Sequence, residues 1–263
     1  MVDPADIAPP LAPPDESDVL VPLPRVGRAF TGRRRVRLGD VSPSGRLRLD
    51  AVARYAQDVS NDDTVDAGLE SDMAWVVRRT VVEVHADARL REELEVTTFC
   101  GGTGGRWAER RVVVRGENGA HMELATLWVH LDMDSGRPIP LPAQFHELYD
   151  EAAQGRKVRA RLHHDDPPAP APPLTPWPLR FTDFDVLGHV NNAISWSVLE
   201  EERAARPALR TPVRAEVEFR APIERGHEVA RASLDHQDGA MSAWLVEAND
   251  PAVVHTSIRV RPL

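Results

Sequence analysis

The chain contains an internal duplication, and this repeat limits the folds it can adopt more than any other feature. GDVSPSGRLRLDAVARY at residues 39–55 aligns with TDFDVLGHVNNAISWSV at residues 182–198. Further along, VEVHADARLREEL at residues 82–94 aligns without a gap with VEFRAPIERGHEV at residues 217–229. Two matches in the same order indicate that one structural unit occurs twice.

Both copies predict the same series of elements. Each begins with a turn followed by apolar residues at helical spacing, which end near Gly68 in the first copy and before Pro207 in the second. These apolar residues are Leu49, Val52, Ala56 and Val59 in the first copy, and Ile194, Val198, Leu199 and Ala205 in the second. Segments rich in β-branched and aromatic residues follow, at 75–84, 107–131 and 242–262. The pattern predicts an α+β fold in which one helix per half covers one face of an antiparallel sheet.

Two proline clusters divide the chain. Seven prolines fall in residues 1–26, where they remove amide donors and disfavour both helix and sheet, so we predict a disordered leader. A second cluster predicts a stiff linker at residues 151–178. The remaining sequence forms an N-terminal domain at 27–150 and a C-terminal domain at 179–263.

Composition excludes several functional classes. The formal net charge of −9 opposes a phosphate backbone and no basic stretch is interleaved with aromatics, so we expect no nucleic-acid partner. No apolar run approaches the ~18 residues of a membrane-spanning helix, so we expect no membrane insertion. The single cysteine, Cys100, excludes an internal disulfide and fits a reducing compartment. The N-terminus does not have the pattern of a secretory signal peptide, which predicts a cytoplasmic protein.

The segment FTDFDVLGHVNN, residues 181–192, has two interpretations. In the simpler one it is a turn with a helix cap, because asparagine is a favoured N-cap and Asn191 or Asn192 precedes the predicted helix. In the other, the carboxylate of Asp185 and the imidazole of His189 lie on the loop that enters the helix. Helix N-terminal N–H groups can polarise a carbonyl oxygen, so this arrangement suits hydrolysis of an acyl thioester.

The first copy provides an internal control for this segment. It has Ser42 at the position of Asp185 and Arg46 at the position of His189. The residues that both copies share are Asp40 with Asp183 and Gly45 with Gly188. Common structure explains the shared residues but not an acid and an imidazole confined to one copy. The asymmetry favours catalytic roles for Asp185 and His189 in the C-terminal half. The alternatives are a purely structural aspartate and a buried, hydrogen-bonded histidine.

The motif D-x-D-x-x-x-H-V-N-N followed by a short helix resembles the hotdog-fold thioesterases. Residues 28–263 are similar to the acyl-ACP thioesterases of fatty acid biosynthesis, and AWVVRRTVVEV at 74–84 and TLWVHLDMDSGRPIPLP at 126–142 extend the likeness. The resemblance implies two fused hotdog domains, each an antiparallel sheet wrapped around a central helix. It also implies that the C-terminal domain is catalytic and that the N-terminal domain forms the acyl-chain pocket.

The resemblance implies a specific reaction. We expect a thioesterase that hydrolyses acyl-ACP or acyl-CoA to a free fatty acid and a thiol, without a metal or an organic cofactor. Asp185 would act as general base or nucleophile, and His189 would orient substrate or assist proton transfer. Backbone N–H groups at the helix entrance would hold the oxyanion. These belong to Gly188, Val190, Asn191 and Asn192.

The sequence departs from the family pattern at two places. The plant members carry an asparagine where this chain has Leu187, and their downstream catalytic acid falls where this chain has Pro222 and Ile223. These departures support an alternative from another class, a non-catalytic protein that binds or senses acyl-CoA or acyl-ACP. A dehydratase on the same fold ranks third, because D-x-D-x-x-G-H resembles hydrolytic members of the superfamily.

Other features predict less. We expect Cys100 to be a structural thiol, since it follows a strand-like segment without a recognisable histidine and acid. Trp75, Trp107, Trp128 and Trp196 are predicted core residues, with a place in the acyl tunnel as the alternative. An acidic carrier protein would need a local basic patch on this acidic chain. The sequence leaves open whether the protein is a monomer or a homodimer.

Overall fold

A computed structural model describes residues 7–14, 19–69, 74–132 and 134–263. These residues form ten strands and three α-helices. The strands are β1 (Ala29–Arg35), β2 (Ala74–Ala86), β3 (Glu93–Thr103), β4 (Trp107–Gly116), β5 (His121–Leu131), β6 (Thr175–Pro176), β7 (Val213–Phe219), β8 (Val229–Asp235), β9 (Met241–Glu247) and β10 (Asp250–Pro262), and the helices are α1 (Leu49–Asp66), α2 (Ala143–Ala153) and α3 (Asn192–Ala205). No described helix combines the length and the hydropathy that a membrane-spanning segment requires.

The described strands form one antiparallel sheet in the order β1-β3-β4-β5-β2-β7-β10-β9-β8-β6. Read outward from the centre, the C-terminal half (β6–β10 with α3) repeats the order of the N-terminal half (β1–β5 with α1 and α2). The two halves join where β2 pairs with β7, from Arg79 opposite Glu218 to Val84 opposite Val213. The predicted α+β class is confirmed.

The main core lies between the sheet and the pair α1 and α3, which pack against each other. All four apolar residues that predict α1 are buried, and Gly68 ends the helix region with a positive φ of 71°. In α3, Val198 and Leu199 are buried, whereas Ile194 is half-buried and Ala205 is exposed. Helical spacing therefore identifies both central helices, as expected for amphipathic segments on a sheet.

The helix α2 is not among the elements that the sequence predicts. It buries Phe145, Tyr149, Ala152 and Ala153 at helical spacing, and it packs with Cys100, Ala108 and Leu141 in a second core cluster. The expectation of one helix per half is thus corrected for the N-terminal half. The expected boundary at residue 150 falls inside this helix.

Described parts of the proline-rich leader contact the folded protein. The Val21 carbonyl accepts hydrogen bonds from the buried Arg111 guanidinium at 2.9 and 3.1 Å, and Leu11 is buried. These contacts place parts of the predicted leader against the folded protein, while the side chains of Val19, Leu23 and Val26 are exposed. The rest of the predicted leader lies outside the described residues.

Residues 163–165 of the proline-rich segment 151–178 lie against the sheet face opposite α1 and α3, whereas 151–153 end α2 and 175–176 form β6. The buried Glu218 carboxylate on β7 accepts hydrogen bonds from the backbone N–H groups of His163 and His164. The Trp244 indole donates to the Asp165 carbonyl at 3.0 Å. This segment was expected to act as a stiff spacer, and in the structure part of it also covers one face of the sheet.

Candidate functional site

The loop before α3 is a tight turn closed by its own backbone. Asp185 N–H donates to the His189 carbonyl at 2.9 Å, and Gly188 N–H donates to the Asp185 carbonyl at 3.0 Å. Gly188 has a φ of +78°, a conformation that glycine adopts without a steric penalty. The Asp185 carboxylate accepts a hydrogen bond from Leu187 N–H at 2.9 Å. Asp185 is half-buried, and the loop tip at Val186 and Leu187 is exposed.

Asn191 caps the helix that this loop enters. Its side-chain oxygen accepts a hydrogen bond from Ala193 N–H at 2.9 Å, so the capping prediction is confirmed for Asn191. The cap uses the Ala193 amide and does not involve the amide of Asn192, the first residue of α3.

Of the four backbone amides expected to hold an oxyanion, three already donate within the fold. Gly188, Val190 and Asn191 donate to the carbonyls of Asp185, Ile223 and Asp183, respectively. No described residue accepts a hydrogen bond from Asn192 N–H. The structure therefore leaves Asn192 as the available donor at the positive end of the α3 dipole.

His189 has an acidic neighbour that the sequence does not predict. The residue pairs with Glu224 across an antiparallel bridge, and its Nε2 lies 3.7 Å from Glu224 Oε1. Both side chains are partly exposed. In the first copy the same bridge joins Arg46 to Arg89, and the gapless alignment of the two copies places Arg89 on Glu224. The replacement of Arg89 in the first copy by Glu224 in the second is therefore the sequence signal that could identify this acidic neighbour.

A cavity of about 450 Å³ lies in the N-terminal half beside this loop. Its volume falls within the range of small-molecule sites. Trp75, Trp128 and Phe145 provide aromatic walls, and the loop-tip residues Val186 and Leu187 form part of its edge. The polar residues of α1 that line it are Gln57, Ser60, Asn61 and Thr64. Asp185 and His189 are adjacent to this cavity but do not line it.

A smaller cavity of about 20 Å³, enough for one water-sized group, lies between α1 and the start of α3. Asn192 and the buried Trp196 line it on the α3 side. Gln57, Ser60 and Trp128 line both cavities. The two cavities therefore share part of their walls, and Asn192 lines the smaller one.

The N-terminus of α1 has the same turn as that of α3, but its first helix amide has an acceptor within the protein. Ser42 N–H donates to the Arg46 carbonyl, and Gly45 has a φ of +77°. Leu49 N–H, the equivalent of Asn192 N–H, donates to Glu200 Oε1 at 2.8 Å. Arg46 binds the same carboxylate through both terminal nitrogens. The N-terminus of α1 is therefore closed by a carboxylate of the protein itself.

Charge surrounds this closed end. Burial opposes ionisation of the Arg46 guanidinium, but the hydrogen bonds to Glu200 and the negative charges of Glu200 and Asp87 together outweigh burial and raise its pKa. A third cavity, of about 540 Å³, lies beside it, and its walls include Arg48, Asp50 and Arg231. Although it is the larger space, its charged walls disfavour an acyl chain.

Comparison with known proteins gives the family. The acyl-ACP thioesterase N-terminal domain matches residues 27–149, and the acyl-ACP thioesterase C-terminal domain matches residues 171–260. The chain belongs to the acyl-ACP thioesterase family. It is accordingly a hydrolase that acts on thioester bonds. An uncharacterized protein of Mycobacterium tuberculosis is 31% identical over 220 residues, which cover 83% of this chain and 88% of that protein.

Solved structures of thioesterases share the fold. A putative oleoyl thioesterase from Lactobacillus plantarum superposes with a TM-score of 0.74 and 17% identity, covering 91% of this chain and 97% of the other. An acyl-ACP thioesterase from Bacteroides thetaiotaomicron gives 0.73 and 15%, covering 89% and 97%. The 12:0-ACP thioesterase from Umbellularia californica gives 0.72 and 17%, covering 89% and 96%. These likenesses establish a hotdog fold.

Cys100 lines the larger cavity without the surroundings of a nucleophile. It is buried on β3, and burial raises the pKa of its thiol to about 11. A thiol is the less reactive form, so the geometry supports the expectation of a structural cysteine.

Two groups of described residues have the donor atoms for a cation, but neither contributes to the cavities. One consists of His227, Glu247 and His255, in which Glu247 Oε2 lies 3.4 Å from His227 Nδ1 and 3.1 Å from His255 Nε2. The other consists of His85, His121 and Glu123. Histidine–glutamate contacts bring the first group together, and in the second His121 contacts Glu123 and packs its ring against that of His85.

Proposed function

We propose that this thioesterase hydrolyses acyl-ACP or acyl-CoA to a free fatty acid and a thiol, within cytoplasmic fatty acid biosynthesis. The thioester carbonyl oxygen binds at the N-terminus of α3, and the acyl chain enters the cavity of the N-terminal half. The chain comprises two fused hotdog domains, the first from residue 27 to the end of α2 at Ala153 and the second at 179–263, joined by the residues between them. The first serves as the acyl pocket and the second carries the catalytic loop.

The main support for this proposal is the difference between the N-termini of α1 and α3. At α1, an anionic oxygen of Glu200 lies 2.8 Å from Leu49 N–H. An oxyanion that forms during thioester hydrolysis needs a donor at about this distance. At α3, the equivalent Asn192 N–H has no acceptor among the described residues and borders a cavity. The protein thus occupies one such site with its own carboxylate and leaves the other open to a ligand.

The larger cavity suits an acyl chain. Its aromatic walls remove methylene groups from water, which contributes roughly 0.8 kcal/mol per buried methylene. Arg110 lines the cavity and binds the buried Asp63, which also accepts a hydrogen bond from Tyr149 at 2.7 Å. This polar group disfavours further apolar contact, so we expect the chain to end beside it.

Asp185 acts as the general base or nucleophile. Its position on the half-exposed turn beside the cavity edge supports approach to a thioester whose carrier extends into solvent. The presence of Ser42 and Arg46 in the closed copy supports a role for Asp185 and His189 in the open one. Glu224 orients the His189 imidazole, which assists proton transfer to the departing thiolate.

A thiol-release assay tests the function. Purified protein is mixed with acyl-ACPs and with acyl-CoAs of several chain lengths, and free thiol is measured over time. We expect multiple turnovers with at least one carrier. Stoichiometric binding without thiol release would contradict the proposal and favour the acyl-binding alternative.

A further inference from the structure

Gln57 on α1 occupies the same helical position as Glu200 on α3. Each lies eight residues after the first residue of its helix, Leu49 for α1 and Asn192 for α3. Glu200 reaches across to the N-terminus of α1 and binds Leu49 N–H. Because the two halves repeat each other, we expect Gln57 to lie opposite the N-terminus of α3.

The surroundings of Gln57 agree with this relation. Gln57 and Asn192 line the small cavity together, and Gln57 also lines the larger one. It is half-buried, and no described residue hydrogen-bonds its carboxamide. A carboxamide supplies two N–H donors as well as an acceptor, whereas an ionised carboxylate only accepts.

We propose that Gln57 is a catalytic residue that donates a hydrogen bond from Nε2 to the thioester carbonyl oxygen. This assignment rests on the proposed function. Asn192 N–H donates to the same oxygen, so the oxyanion hole takes one donor from each half of the protein. As the nucleophile bonds to the carbonyl carbon, the electron pair of the C=O bond moves to oxygen, and both donors stabilise that negative charge. Gln57 itself exchanges no proton.

The assignment also explains why the open site has an amide at this position. A carboxylate there would accept the Asn192 N–H, as Glu200 accepts the Leu49 N–H, and would occupy the place of the substrate oxygen. It would also repel the developing oxyanion. Glutamine at 57 keeps the site open, while glutamate at 200 closes its counterpart.

Steady-state kinetics of three variants test this role. Gln57→Ala should lower kcat by about 100-fold, the usual loss for one oxyanion donor, with KM changed by less than about threefold. Gln57→Glu should lose activity progressively as the pH rises above about 4.3, the ordinary pKa of a glutamate, because the introduced group ionises. Glu200→Gln is the matched control, and it should retain the wild-type kcat.

Each result decides the assignment. A kcat for Gln57→Ala within about threefold of wild type would overturn it, as would a Gln57→Glu pH profile parallel to that of wild type. If Gln57→Ala fails to fold, Gln57→Glu decides alone, because glutamate has nearly the same size and shape as glutamine. Wild-type protein that releases no thiol overturns the proposed function as well, whereas active wild type with an active Gln57→Ala overturns only the role of Gln57.

Discussion

The N-termini of α1 and α3 begin with the same turn and differ in what they bind. At α1, Arg46 and the helix amide share the Glu200 carboxylate. At α3, His189 lies beside Glu224, and Asn192, whose amide has no acceptor among the described residues, lines a cavity together with Gln57. A helix N-terminus attracts negative charge in either case. The side chain opposite it determines whether that attraction stabilises the fold or remains available to a ligand.

The largest expected effect comes from exchanging the carboxylate that only the open copy has. Asp185→Asn should reduce kcat by at least about 100-fold, because removal of a general base or nucleophile costs that much or more. Thiol release from the best acyl thioester measures the loss. Ser42→Ala, at the equivalent position of the closed copy, is the control and should keep wild-type turnover. Near-normal turnover of Asp185→Asn would show that this carboxylate does not give the open copy its catalytic activity.

A second comparison concerns stability. Arg46→Leu should lower the free energy of unfolding by about 2 kcal/mol, because the largely buried Glu200 carboxylate then keeps only Arg203 and the Leu49 amide as partners. His189→Leu, at the equivalent position, removes a partly exposed side chain and should cost less than about 1 kcal/mol. Urea unfolding of both variants measures the two values. Equal losses would show that the open end is as important to the fold as the closed one.

The pH dependence of stability should also separate the two helix ends. Burial opposes ionisation of Asp50 near the start of α1, but hydrogen bonds from Arg48 and Arg54 outweigh it and lower its pKa. A lowered carboxyl pKa contributes stability above the unfolded value, about 3.9 for aspartate, and this contribution is lost as the pH falls through the folded pKa. Asp50→Asn should therefore cost about 1–2 kcal/mol at neutral pH and progressively less below about pH 4. Its equivalent in α3, Ala193, has no such titration.

Urea midpoints of Asp50→Asn and wild type across this pH range test the expectation. A gap that stays constant down to pH 3, about one unit below the ordinary aspartate value, would contradict it.

The smallest expected effect concerns the two cavities. Trp75→Ala should enlarge the cavity of the N-terminal half and shift the preference toward longer acyl chains, by about fourfold in relative kcat/KM for each added methylene. Trp177→Ala alters the charged cavity near the closed end and should leave the preference unchanged. Competition between acyl thioesters of different lengths measures the shift. If only Trp177→Ala changed the chain-length preference, the acyl chain would bind in the charged cavity and not in the cavity of the N-terminal half.

Local sequence patterns were sufficient for part of this structure. Apolar spacing identifies α1 and α3, and the asparagine preference for helix N-caps identifies Asn191, because these depend on neighbours along the chain. The helix α2 was missed because its short apolar pattern lies between a proline-bounded tail and a proline-rich segment. Its position depends on packing against β3 and on the second core cluster.

The candidate site was only partly predictable for the same reason. Asp185 and His189 lie within one motif, so the sequence identifies them as candidates. Glu224 lies beside His189 only through a bridge between distant segments, and Gln57 and Asn192 line one cavity only because the two helices pack together. Both arrangements depend on tertiary pairing, although the internal repeat contains the information needed to anticipate them.

The pairing of β2 with β7 has a consequence for any attempt to divide the protein. These strands are hydrogen-bonded to each other in the middle of the sheet, so a cut within residues 151–178 would not yield two autonomous products. Each fragment produced alone would present a long unprotected strand edge and would tend to aggregate along it. Produced in the same cell, the two fragments could protect each other and reassemble, which would make this enzyme a natural starting point for a split reporter.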